Sequence, residues 1–513
     1  MYGREMHDDL AWGKNEEESD KGFNLMRSER FVRTVEALVA EKTGQAGEMN
    51  LNLLSGGCNT IYRIRLADTG SRVVVRLPWR GVVQYPADKT RQEAATASFL
   101  AEQTQLPIPR PLHHGQDSPV GPFIIMPWVG CRTLLSHRLA GPGPRHSSTH
   151  VLDPAVTDDT LLMLWPPVAR SMLQMSRIAL PRIGSLLETS PGAYEVADRP
   201  ITKNMNDMVQ LANIPRCVLP QQGTTYATAA EWYAALADMH IAQLVFQRND
   251  LVWSEDDCRN KYVARQLFRR LSREGKLSTF GFAEDTWSAQ SASRRAQAPQ
   301  ELAPAPSEID FFRIWCDDFR PSNILLTESD DVAAFIDWEY AYSAPTQFIL
   351  DPPWWLLLQT MEWWEDGIDS WIETYEGRLE TWLAAMEKAE EAASEDVEWQ
   401  QHPSDSRLPA TLSRYMRESW ETGRFFLSYA ARNSWMFDAM YWRFLDERFF
   451  GARAEETVKN DLWKTRVHLL SEEEWDAMED LVQRKMAEKE EGDQIVHWEE
   501  AEAKRLLETF LHD

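Results

Sequence analysis

Apolar residues recur along this chain in two rhythms. Over 28–44 (SERFVRTVEALVAEKTG) they fall at helical spacing with a glycine at the end, which predicts a helix. The alternation then becomes one in two. MNLNLLS, TIYRIRLA and SRVVVRLP read as strands, separated by the turn sequences GGCN and DTG. A helix is expected over about 87–104, stopped by Pro107, Pro109 and Pro111, and PFIIMPWV, around 122–129, is a further apolar strand.

From about 131 to 450 helical spacing dominates. Two intervals, about 141–160 and 284–308, are rich in loop-forming residues and are expected to be irregular. WCDDFRPSNILL and VAAFIDWEYAY read as a strand pair with ESDD as the turn, and Ser471 with Glu474 offers a capping box in an acidic helical tail. The expected division is a flexible polar leader (1–27), a small α/β unit (28–130), a large helical unit (131–454) and the tail (455–513).

Composition narrows the function classes. A net charge of −26 with no sizeable basic patch argues against nucleic acid and anionic membrane as partners. No apolar run approaches the roughly 18 residues that a membrane span needs. The five cysteines are scattered without CxxC spacing, which favours a reducing, cytoplasmic setting over a disulfide scaffold or zinc site. Among 22 tryptophans, the pairs Trp354-Trp355 and Trp363-Trp364 read as aromatic packing, with a stacking or cation-binding groove as the alternative.

The chemistry concentrates in WCDDFRPSNILL. Asp318, Arg320 and Asn323 share one loop, and Asp337 returns on the next strand. Such a set can surround a hard divalent cation with oxygen ligands. An aspartate left off the metal can accept a proton from a hydroxyl, and a fixed arginine can neutralise a phosphoryl group in transfer. These are the needs of phosphoryl transfer from ATP with Mg²⁺. In the small unit, Gly56, Gly57, Cys58 and Asn59 form a turn whose backbone can approach phosphates. Arg76 ends the third strand and Glu93 lies on the next helix.

These pieces together resemble the aminoglycoside phosphotransferase and choline-kinase-like family, in a fungal-type branch. The likeness rests on LLSGGCNTIYRIRL, RVVVRLP, the helix with Glu93, PFIIMPWVGCRTL, RIGSL with RPIT downstream, WCDDFRPSNILL and FIDWEYAYSAPTQFILDPPWWLL, spanning roughly 50–360. It implies an α+β, bilobal protein-kinase-like fold: a small antiparallel-sheet lobe with one main helix, a large helical lobe, and here an acidic helical extension. It also implies transfer of the ATP γ-phosphate to a hydroxyl of a small molecule. In that pattern Asp318 is the base, Asn323 and Asp337 hold Mg²⁺, and Arg320 and Arg76 face phosphates. Gly56, Gly57 and Asn59 form the phosphate turn, Glu93 steadies Arg76, and the backbone of Met126 and Trp128 meets adenine. Asp317 takes the position of the family's glycine and orients the loop. Two positions depart from the pattern: Arg76 replaces a lysine and Cys316 a histidine. The alternatives are a kinase-like binding or scaffold protein, and a kinase acting on protein. Neither the acceptor nor the oligomeric state is specified by the sequence.

Overall fold

The computed structural model describes residues 8–49, 53–142, 150–297, 301–307, 311–395, 408–454 and 457–512. The first correction comes at the start. Where a flexible leader was expected, Asp8 caps a helix, α1 (Asp9–Arg27), by accepting from the N–H groups of Leu10 and Ala11. Its order comes from docking, which an acidic composition does not reveal. Asn15 donates to the Gln210 carbonyl at 2.6 Å, and the Asp8 N–H donates to the Leu211 carbonyl at 2.7 Å. Further along, Phe23 stacks on Trp79, and Tyr62 donates to the Met26 carbonyl at 2.6 Å. The helix thus touches both lobes. Ser28 then caps α2 (Glu29–Thr43), which ends on Gly44 in the left-handed region.

The small lobe is a six-stranded antiparallel sheet: β1 (Gly47–Met49), β2 (Leu54–Ser55), β3 (Asn59–Leu66), β4 (Arg72–Pro78), β5 (His113–Gly115) and β6 (Phe123–Pro127), in the order β1-β3-β4-β6-β5 with β2 on β3. Part of MNLNLLS, residues 50–52, lies outside the described residues. The expected hairpins form, and His113–Gly115 adds an edge strand beside β6. Alternation assigns the two faces. Tyr62, Ile64, Val73, Val75 and Leu77 pack on Phe31, Val35 and Val39 of α2. Val74, Ile124 and Met126 lie on the opposite face with Ala94 of α3 (Pro86–Gln103).

The large lobe begins with β7 (Thr133–Leu134) and α4 (Leu135–Leu139), followed by α5 (Asp158–Met175). A hairpin that helical periodicity did not announce, β8 (Ser185–Ser190) with β9 (Ala193–Asp198), precedes α6 (Lys203–Ala212), α7 (Ala229–Phe246) and α8 (Glu255–Arg273). The interval 284–308 contains a helix, Ala289–Gln297, correcting the expected loop; 298–300 and 308 lie outside the described residues. Two strand pairs frame the candidate site. β10 (Arg313–Cys316) pairs with β13 (Ala341–Ala344), and β11 (Ile324–Leu326) pairs with β12 (Val332–Phe335). The tail helix Glu472–Glu490 starts in a complete capping box and packs on α8, burying Met478, Leu481 and Val482. No described helix is long and apolar enough to cross a membrane.

Candidate active site

The segment 317–323 joins β10 to β11. Its first aspartate is held from several sides. Asp317 accepts from the Trp315 indole at 2.8 Å and from the Lys203 N–H at the start of α6 at 3.2 Å, and Arg432 lies 3.8 Å away. Asp318 receives the Asn323 side-chain amide on both its carbonyl (2.8 Å) and its carboxylate (2.9 Å), and the Arg320 Nε sits 2.9 Å from its other oxygen. Asn323 therefore spends its NH₂ on Asp318 and keeps its amide oxygen as an acceptor. The Ile336 N–H donates to the Asn323 carbonyl at 3.0 Å, which brings Asp337, the next residue, beside the loop. Asp337 has φ 66°, a left-handed conformation that aspartate adopts more readily than most residues. Phe319 stacks on Phe335 beneath the turn.

Asp337 belongs to a second, fully ionic cluster. Arg76 bridges Glu93 (2.9 Å) and Asp337, while Lys89 bridges Glu93 (3.3 Å) and Glu339. Carboxylate oxygens of Glu93, Asp337 and Glu339 lie within 4.8 Å of one another. Asn59 closes the group: its amide oxygen accepts from Lys89 at 3.1 Å and its NH₂ donates to Glu339 at 2.9 Å.

The carboxyls respond differently to burial. Burial pushes Asp318 upward, Arg320 opposes it, and the neighbouring Asp337 charge adds to the rise. Burial acts the same way on Asp337, but Arg76 and Lys89 outweigh it and hold this carboxyl below its usual range. Glu339 is pushed up to about 7 by burial first and by Asp337 next, against the pull of Lys89. One carboxylate is thereby kept ionised among cations while another is made a stronger base, a separation that supports distinct roles.

The sequence-derived residues fall out as follows. Asp318, Arg320, Asn323 and Asp337 converge on one loop pair, and Arg76 with Glu93 reaches Asp337 from the small lobe. Gly56 and Gly57 are exposed between β2 and β3. Neither has a positive φ, and a Cβ would meet nothing at Gly57 and only the Asn59 carbonyl, at 3.9 Å, at Gly56. Nothing within the fold requires glycine there, so the open space above the turn is its structural consequence. Both ends of the Asn59 side-chain amide are committed, to Lys89 and to Glu339. The Trp128 N–H donates to the Arg72 carbonyl at 3.0 Å. Met126 is buried in register with Val74. Cys316 donates to the Glu339 carbonyl at 3.3 Å and so ties β10 to the segment after Asp337. Sequence reasoning missed Lys89 and Glu339. Their signals were a lysine four residues before Glu93 and a glutamate two residues after Asp337.

Beside Asp318 opens a cavity of about 570 Å³, lined by Asp318, Arg320 and Lys203, by Glu362, and by aromatic residues that include Trp12, Trp354 and Trp363. The tryptophan pairs divide: Trp355 is core, whereas Trp354 and Trp363 line this cavity. Glu362 accepts from the Tyr429 hydroxyl at 2.7 Å, and burial raises its carboxyl.

Residues 51–150 match the phosphotransferase enzyme family. A search of the curated proteins returns no match. Among solved structures, the chain is similar to a macrolide 2'-phosphotransferase type I (14% identity, 84% of this chain and 99% of that one, TM-score 0.37). It is also similar to a thermostable mutant of an aminoglycoside phosphotransferase in a ternary complex with AMP-PNP and hygromycin B (15%, 80% and 98%, TM-score 0.34). A third is a Plasmodium vivax ethanolamine kinase (10%, 88% and 93%, TM-score 0.39). Superpositions at these scores are loose. The chain itself shows a small lobe built on an antiparallel sheet, an Arg76–Glu93 pair between β4 and α3, and paired strands that carry the two loops of the large lobe.

Proposed function

We propose that this protein is an ATP- and Mg²⁺-dependent phosphotransferase that moves the γ-phosphate to a hydroxyl of a small molecule in the cytoplasm. The small lobe (28–130) would bind the nucleotide and the helical lobe (131–454) the acceptor. The observation that carries this reading is the Asp318–Asn323 hydrogen-bond pair set beside Asp337, with Asp318 shifted up and Asp337 down.

The donor set fits Mg²⁺. Asp337 is held ionised, and Asn323 retains its amide oxygen, so both offer the hard oxygen ligands this cation takes. Bound there, the ion supplies neutralisation of phosphoryl charge. Asp318, raised by burial and oriented by Asn323, accepts the hydroxyl proton of the acceptor at its carboxylate. Arg320, partly exposed and beside Asp318, faces the charge that develops on transfer. Arg76 is steadied by Glu93 and contributes a forked cation to the nucleotide phosphates, exchanging part of its contact with Asp337. The exposed Gly56-Gly57 turn lets the backbone approach those phosphates. The cavity beside Asp318, about 570 Å³, has the size of a small-molecule site, which favours a metabolite over a protein acceptor.

A metabolite panel incubated with Mg·ATP, read by mass for a product heavier by one phosphoryl group, tests the proposal. Wild-type chain should give at least one such product and the Asp318→Asn chain none above background. An absence of product together with Mg²⁺-independent nucleotide binding would support the scaffold alternative.

A further inference from the structure

The ionic cluster contains one cation more than the proposed chemistry uses. Lys89 is buried on α3, one turn before Glu93, with its side chain almost wholly out of solvent. It touches three partners from three parts of the chain: Glu93 on its own helix, Asn59 at the start of β3, and Glu339 in the segment after Asp337. Tyr340 lies under the ammonium, with its ring centroid 6.0 Å away, and its hydroxyl contacts Cys58 Sγ in the glycine turn at 3.5 Å. Lys89 is therefore the point where the glycine turn, helix α3 and the Asp337 segment are joined.

Charge counting gives this junction a purpose. Glu93, Asp337 and Glu339 place three carboxylates within 4.8 Å, against Arg76 and Lys89. With both cations present and all three carboxyls ionised, one negative charge is in excess, and Arg76 is shared between Glu93 and Asp337. Without Lys89 the excess doubles. Glu339 would then compete with Asp337 for Arg76 and for any divalent cation, because an unpaired buried carboxylate is strongly driven to find a counter-charge.

We infer that Lys89 is a positioning residue. Resting on the phosphotransferase reading, it ties Glu339 off from Asp337, so that a divalent cation is directed to Asp337 and Asn323 while Arg76 stays available to phosphate. Lys89 itself does not contact the nucleotide.

The test uses the full-length chain and ADP, titrated calorimetrically with Mg²⁺ and with EDTA, so no acceptor is needed. Wild type should bind ADP more tightly with Mg²⁺. Lys89→Met should weaken ADP binding in Mg²⁺ by tenfold or more and shrink the gap between Mg²⁺ and EDTA. Lys89→Met combined with Glu339→Gln removes the cation and the charge it neutralises. This double variant should fold even if the single one does not, and should recover most of the Mg²⁺ dependence. A double variant that stays weak in both Mg²⁺ and EDTA would overturn the inference, since it would mean that Lys89 grips phosphate or only holds the fold. A single variant indistinguishable from wild type would overturn it as well. A wild-type chain that binds ADP equally with and without Mg²⁺ would instead remove the phosphotransferase reading, and this inference with it.

Discussion

The cluster around Arg76 and the cavity beside Asp318 meet at one aspartate, yet they are built differently. In the cluster each charge is held by another, and the groups are buried: Arg76, Lys89, Glu93 and Glu339 are each at most 5% exposed. In the cavity, aromatic walls surround carboxylates held mainly by hydrogen bonds, and one wall, Trp363, is 58% exposed. The contrast separates stability from chemistry. Removing a cluster member strands a buried partner, whereas cavity residues can change with little cost to the fold.

The largest effect should come where the regions meet. Asp318→Asn preserves shape but turns one of the two oxygens that accept from Asn323 and Arg320 into a donor and removes the base, so it should slow transfer by about 10²–10⁴, the weight of a positioned base, while Mg·ADP affinity changes less than twofold. Calorimetry beside a turnover assay checks both halves, and Asp317→Asn should cost far less. A cluster variant behaves otherwise. Arg76→Ala leaves Glu93 and Asp337 without their shared cation and should destabilise the fold by about 3–5 kcal/mol, read in urea unfolding. Arg76→Lys should retain part of the stability and part of the nucleotide affinity, since a point charge cannot fork between two carboxylates.

Ligand linkage gives a smaller signal. Mg·ATP at a hundred times its Kd should stabilise the chain by about 2.7 kcal/mol, and Asp337→Asn should erase the difference between Mg²⁺ and EDTA in a melting experiment. The pH profile sharpens the comparison further. A base works only when ionised, and burial raises Asp318, so kcat/KM should fall as pH drops, with its midpoint above the ordinary aspartate range. Arg320 lowers this carboxyl, so Arg320→Gln should move the midpoint still higher. The smallest expected change belongs to Trp363→Ala, which should alter stability by no more than about 0.5 kcal/mol while raising KM for the acceptor. A large stability loss there would mean that the cavity wall is core.

Much of the site was legible because its signals are local. Asp318, Arg320 and Asn323 sit in one loop, and the short hairpin that follows places Asp337 beside them, a geometry set by strand pairing over a few residues. The same locality made α2, β3, β4 and the Ser471 capping box readable. Asn59 lies on the turn and Trp128 after β6, as read from the sequence, but the partners of the Asn59 side chain and of the Trp128 N–H were not legible there. Whether an amide is free depends on partners elsewhere: Asn59 is taken by Glu339, 280 positions away, and Trp128 by the neighbouring strand.

By itself, then, the sequence determined the order of the two lobes, the residues of the Asp318 loop and the chemistry that they permit. Periodicity and turn composition act over one element, and a motif of seven residues is specified within its own loop. Tertiary structure alone decided that the acidic start of the chain is a helix spanning both lobes with Trp12 in the cavity wall. It decided also that Lys89 and Glu339 join the charge cluster, and which of two adjacent aspartates is braced by Lys203 and Trp315 and which takes the Asn323 amide. Those outcomes come from burial and from charges brought within a few ångströms by folding. Their energies depend on neighbours hundreds of residues away, which leave no mark on local spacing.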